Sequence, residues 1–190
     1  MSLMLLGILN SQAAGGGAGA YDLLETTTLT SSASSVTFSG LGSYSDYAHL
    51  QIRGIARGDR SSNTRGALSF NINGDTGGNY AWHYLRGDGS SVTSNRGVSA
   101  SRMQYLWEIP AVNATANQFS SATIDFLDFS NTNKNTTMRL LQGIAGADNQ
   151  VGIASGLWNN TSAVTSIDII DLFGNLVSGS RFSLYGIKGA

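Results

Sequence analysis

Apolar and polar residues alternate in short runs along this chain from Tyr21 onward. Val36 and Phe38 flank Thr37, and Leu50 and Ile52 flank Gln51. Leu68, Phe70 and Ile72 share one parity, opposite Ser69, Asn71 and Asn73. Tyr80, Trp82 and Tyr84 form an aromatic stripe, and Met103, Tyr105, Trp107 and Ile109 form a second. Ile124 with Phe126, Met138 with Leu140, Val151 with Ile153, Ile167 with Ile169 and Phe182 with Leu184 complete the series. A period of two marks a strand with one buried face, and no stretch sustains the helical period. Clusters of Gly, Ser, Asn and Asp between the runs supply turns. Gly54 stands where a bulge would shift parity and bring Ile55 onto the face of Leu50 and Ile52. The only proline, Pro110, falls at the end of a run, where it disturbs no ladder. About ten short strands with turns between them predict an all-β fold, an antiparallel β-sandwich that is jelly-roll-like.

The start of the chain reads differently. Leu3, Leu5, Leu6, Ile8 and Leu9 crowd one short apolar run, followed by the Ala/Gly-rich stretch from Ala13 to Ala20. Such a run is far shorter than the roughly 20 residues of a membrane-spanning helix, so no membrane role is expected. No Lys or Arg precedes it, which argues against a secretory leader. The pattern predicts an extended N-terminal arm over residues 1–20, an apolar tip on a pliant stalk, and a single β-sandwich domain over 21–190. Its apolar side chains are expected to be buried in assembly with another subunit.

Composition narrows the function classes. Charged residues make up only 12% of the 190 residues, with a net charge of −1, against about 25% charged in typical soluble domains. Polarity comes from Ser, Thr, Asn and 24 Gly instead. A surface this neutral gives little electrostatic protection against association. The basic residues are nine Arg and only two Lys, Lys134 and Lys188. That bias suits interfaces, where the weakly hydrated guanidinium is favoured. Near-zero net charge argues against general nucleic-acid binding.

Catalytic chemistry finds little footing. There is no cysteine, and His49 and His83 have no ligand or triad spacing. Asp125 and Asp128, like Asp168 and Asp171, are three apart, so alternation turns each pair to opposite faces. No enzyme activity and no cofactor or metal are expected. The oxygen-rich segment from Asn71 to Asn79 resembles part of a calcium loop but reads better as a Gly-rich hairpin turn. Arg-Gly-Asp at Arg57 and at Arg86 is likewise good turn chemistry. Asn113, Asn135, Asn159 and Asn160 open glycosylation sequons that matter only in a eukaryotic secretory host. Tyr80, Trp82 and Tyr84, with Trp107 and Trp158, could pack the core or offer a glycan-stacking platform.

Several stretches resemble structural proteins of tailed phages, many from aquatic bacteria. They are Tyr21-Asp-Leu-Leu-Glu25, Ser34-Ser-Val-Thr-Phe-Ser-Gly-Leu41, Tyr47-Ala-His-Leu-Gln-Ile-Arg53, the segment Phe70 to Tyr80, and Gly179-Ser-Arg-Phe-Ser-Leu-Tyr-Gly-Ile-Lys188. The last is the most specific. The resemblance implies a virion location and a non-enzymatic structural role. The leading expectation is a capsid decoration or cement protein, as a homotrimer, bound to the major capsid protein or another virion protein. The alternative is a tail or fibre adsorption module that binds a host surface glycan.

Overall fold

The computed structural model describes residues 20–146 and 149–189. The apolar residues Leu3, Leu5, Leu6, Ile8 and Leu9 of the expected arm lie outside the described residues. Among the described residues are twelve strands and one short 3-10 turn, Leu41–Tyr44. The strands are β1 (Tyr21–Thr28), β2 (Ser35–Ser39), β3 (His49–Ala56), β4 (Arg65–Ile72), β5 (Tyr80–Gly87) and β6 (Val92–Ala100). They continue with β7 (Met103–Pro110), β8 (Ser120–Leu127), β9 (Thr136–Ile144), β10 (Gln150–Trp158), β11 (Ser166–Asp171) and β12 (Arg181–Ile187). Eight strands form one sheet in the order β1-β12-β3-β8-β9-β10-β5-β6, and four form a second in the order β2-β11-β4-β7. Every neighbouring pair is antiparallel. The result is the jelly-roll-like β-sandwich that the alternation implied.

Between the sheets lie the side chains of the inward parity. Phe38, Phe70, Phe126, Phe129, Phe182, Trp107 and Trp158 are fully buried there with Leu50, Ile52, Leu68 and Tyr80. Each such side chain contributes roughly 1.5–3 kcal/mol by leaving water.

Three local expectations change. The register of β3 against β8 and β12 runs without a shift, so Gly54 makes no bulge and Ile55 faces outward. Gly54 is glycine because a Cβ there would stand 2.9 Å from both Phe182 Cδ1 and Trp107 Cη2. Those two rings meet edge to face, and only a bare backbone lets them pass. A real irregularity falls in β7, where the register against β4 slips between Leu68 and Phe70. Tyr105 there has φ of 59° and is turned outward, while Leu106 and Trp107 are both buried. The third change concerns β10. Val151 and Ile153 face solvent, and its inward positions are Gly152, Ala154, Gly156 and Trp158. Met103 of β7 crosses so closely that a Cβ at Gly156 would collide with its Sδ.

Candidate functional site

The residues considered for sugar stacking do not form a platform. Tyr80 and Trp158 are each 1% exposed and Trp82 8%, so no pyranose can lie on them. The even parity of β5 turns Tyr80 and Trp82 toward the opposite sheet, and that of β10 does the same for Trp158. Tyr80 donates from its hydroxyl to the Ile72 and Asp75 carbonyls and accepts from the Ile72 N–H. Burial pushes its phenol up to about 12. Trp82 stacks on half-buried Tyr84, with centroids 6.0 Å apart, and the Arg86 guanidinium lies 3.6 Å from the Tyr84 ring centroid. Trp107 is buried and donates from Nε1 to Ser120 Oγ at 2.8 Å.

The polar motifs also have structural uses. Asn73 and Gly74 take positive φ and turn the chain, but the expected hairpin does not form: β4 belongs to the four-stranded sheet and β5 to the eight-stranded one, so Asn71–Asn79 is a connection between sheets. Asp75 closes it by accepting from Trp158 Nε1, Asn79 Nδ2 and the Gly77 N–H. Those three donors hold its carboxyl below the usual range. Arg57 clamps the β7–β8 loop through the carbonyls of Thr115 and Gln118, at 2.7 and 3.0 Å. Arg86 is buried and paired with Glu108, and Asp88 caps its own turn through Ser90 and Ser91. Neither Arg-Gly-Asp therefore presents a free tripeptide. Asp128 pairs with Lys134 and meets His49, and Asp168 accepts from Thr37.

A different surface stands out: the outer face of the eight-stranded sheet. Cross-strand register places its side chains in rows. One polar row reads Tyr185, Gln51, Asp125, Arg139, Ser155, His83 and Arg96. The next reads Ser183, Arg53, Thr123, Leu141, Ile153, Leu85 and Ser94. Its second half, with Val151 and Val92 of the row beyond, is an exposed apolar strip across β9, β10, β5 and β6. Val151, Ile153 and Leu141 are 55–60% exposed, and Val92 is 70% exposed.

Toward β12 the same face hollows into a groove of about 550 Å³ lined by Arg53, Ile55, Thr123, Leu141, Arg181 and Ser183, among others. Its guanidinium is held in place. Arg53 donates from Nε to Gln51 Oε1 at 2.6 Å, and Gln51 donates in turn to Asp125. Arg139 donates to the other oxygen of Asp125 at 2.7 Å. The rings of Tyr185 and Tyr21 flank Arg53, with centroids 5.0 and 5.2 Å from its Cζ. Charge is unevenly shared over the molecule. From β12 through β6 the strands of this face present Arg53, Arg96, Arg139 and Arg181 but a single acid, Asp125, already paired with Arg139.

Sequence reading missed this face because alternation groups residues without saying which group points inward. Val151 and Ile153 were legible as a pair, and their glycine and alanine neighbours were the unread sign of direction.

No family model and no curated protein matches the chain. Among solved structures, the chain is similar over 88% of its length to 36% of an engineered GH43 glycoside hydrolase, at 12% identity and a TM-score of 0.44. It is similar over 75% of its length to 28% of a xylan β-1,4-xylosidase from Bacillus halodurans, at 7% identity and a TM-score of 0.33. The third is the CBM40 domain of a Ruminococcus gnavus sialidase with bound α2,6-sialyllactose. It matches 86% of this chain and 90% of that one, at 13% identity and a TM-score of 0.32. The chain thus spans about a third of the two hydrolases. At these values the likenesses are too loose to carry any inference about chemistry. The candidate site rests on its own geometry: an outward sheet face, apolar at one end and arginine-lined at the other.

Proposed function

We propose that this chain is a non-enzymatic structural protein of a tailed-phage particle, a capsid decoration protein that docks through the outer face of its larger sheet. The observation that carries the reading is the strip of Leu85, Leu141, Val151, Ile153 and Val92 on adjacent strands of a solvent-facing sheet. A solvated sheet face is normally polar, and contiguous apolar surface marks a docking site. The sparse charge, the preference for Arg over Lys and the resemblance to phage structural proteins support the same reading. The partner is the major capsid protein, whose subunits a homotrimer would clamp by added buried area. Leu85→Asp with Ile153→Asp should strip the protein from reconstituted particles while its thermal transition persists. Unchanged occupancy in cryo-EM would sink the strip as the docking surface, and density confined to the tail tip would overturn the capsid location.

The groove favours a second reading, an adsorption module that binds a host surface glycan. Its hydroxyl-bearing wall of Ser121, Thr123, Ser183 and Tyr185 suits a polar ligand.

A further inference from the structure

We infer that the groove across β12, β3, β8 and β9 is a binding site for an acidic polysaccharide, with Arg53 and Arg181 receiving its carboxylate or sulfate groups. The inference rests on the adsorption reading and names the ligand chemistry that reading leaves open.

It begins with the placement of two like charges. Arg53 lies opposite Ser183 on β12, and Arg181 opposite Ile55 on β3, so the two arginines are diagonal neighbours on one face. Diagonal Cα atoms on paired strands stand about 7–8 Å apart, within reach of long side chains. Both side chains line the groove. Neither has a carboxylate within ion-pair distance among the described residues, and the one acid on this face from β12 through β6 is held by Gln51 and Arg139. Like charges so placed repel; Gln51 and two tyrosine rings hold Arg53, but no side-chain hydrogen bond or ion pair among the described residues holds Arg181 beside it. An anion seated between them reverses the sign of that interaction.

The second observation is preorganisation. Arg53 spends Nε on Gln51 and lies beside two tyrosine rings, which leaves its terminal nitrogens without a hydrogen-bond partner among the described residues. A guanidinium fixed in this way meets a carboxylate with little entropy to lose. The surroundings select the kind of anion. Serine, threonine and tyrosine hydroxyls and the bare backbone of Gly143 line the groove, whose volume of about 550 Å³ is that of a small-ligand cleft. Ile55, Leu141 and Val151 add apolar surface at the edge of the same groove, which the C–H faces of a sugar can cover while its acid group meets the arginines.

The test is affinity electrophoresis of the full chain through gels cast with alginate, dextran or poly-L-glutamate, at low and at physiological salt. Alginate, a polyuronate, should retard the protein strongly, and dextran should not. Arg53→Gln and Arg181→Gln should each weaken the alginate interaction at least about tenfold, the loss of one charge-assisted contact. Their thermal transitions should match the parent, which separates lost binding from lost fold. No retardation by alginate, or retardation that survives both substitutions, overturns the inference. Equal or stronger retardation by poly-L-glutamate also overturns it and points to an acidic protein segment. Leu141 and Val151 line both the groove and the strip, so docking by the strip is read separately, from particle occupancy of the Leu85→Asp with Ile153→Asp variant.

Discussion

Gly54 shows how one missing side chain can organise a core. Its Cα faces Phe182, Trp107 and the Arg181 carbonyl, the last 3.1 Å from where a Cβ would be. None of the three is the free end of a flexible side chain, so the neighbours cannot give way cheaply. Gly54→Val should destabilise the fold by about 1–3 kcal/mol, the range for overpacking, read as a lower midpoint in urea. Asp171 presents the opposite problem, a charge in a place that disfavours it. It is 6% exposed, with Oδ1 accepting from the Phe173 N–H and Oδ2 without a partner. Burial pushes its carboxyl above the ordinary 3.8. A raised acid favours the protonated fold, so its penalty is absent below that ordinary value and grows as pH climbs toward the folded one. Asp171→Asn should therefore raise Tm at neutral pH by about 2–4 °C, the shift for roughly 1 kcal/mol in a domain of this size. The gain should vanish in acid, and an equal gain at every pH would refute the assignment.

The strands differ in how much of themselves they disclosed. β2, β9, β11 and β12 bury one parity, and their alternation located them. β1 and β6 escaped notice because they are the two edges of the larger sheet. β6 has no buried residue at all, and β1 is interrupted by a slip between Leu23 and Glu25. An edge strand that overhangs the smaller sheet buries little, so no hydrophobic period betrays it. The groove was illegible for a related reason: Arg53 and Arg181 are 128 residues apart and meet only through the β3–β12 register. The turn after β4 was readable from Asn73-Gly74, but its passage to the other sheet and its lock were not. Asp75 reaches across to Trp158 of β10 and so ties the turn to the sheet. Asp75→Ala would leave a buried indole N–H unpaired and should cost about 1–3 kcal/mol. Because that carboxyl titrates below its ordinary 3.8, its contribution is complete above that value and is lost as pH falls through the folded one. Urea midpoints of parent and variant should therefore converge in strong acid.

Viewed whole, the sandwich is lopsided, eight strands against four. The larger sheet offers a broad continuous face whose chemistry differs from the average of the chain. A net charge of −1 conceals an arginine-rich face, and a mean hydropathy near zero, −0.04, conceals an apolar strip. Bulk composition predicted association without locating it, since only cross-strand neighbours turn scattered Leu, Val and Ile into a surface.

The pairing of β1 with β12 also governs how the molecule can be made. β12 lies between β1 and β3, with Tyr21 opposite Ile187 at one end and Thr28 opposite Arg181 at the other. During synthesis β1 waits for β12, because β12 is its only sheet neighbour among the described residues. A chain stopped at Gly179 would lose two strands, β12 and the β1 it holds, and would bare the edge of β3. Such a truncation should show no cooperative thermal transition, whereas a melt like that of the full chain would contradict this sheet order. Emergence of β12 thus acts as a checkpoint, and a copy ended before it does not present the finished binding face.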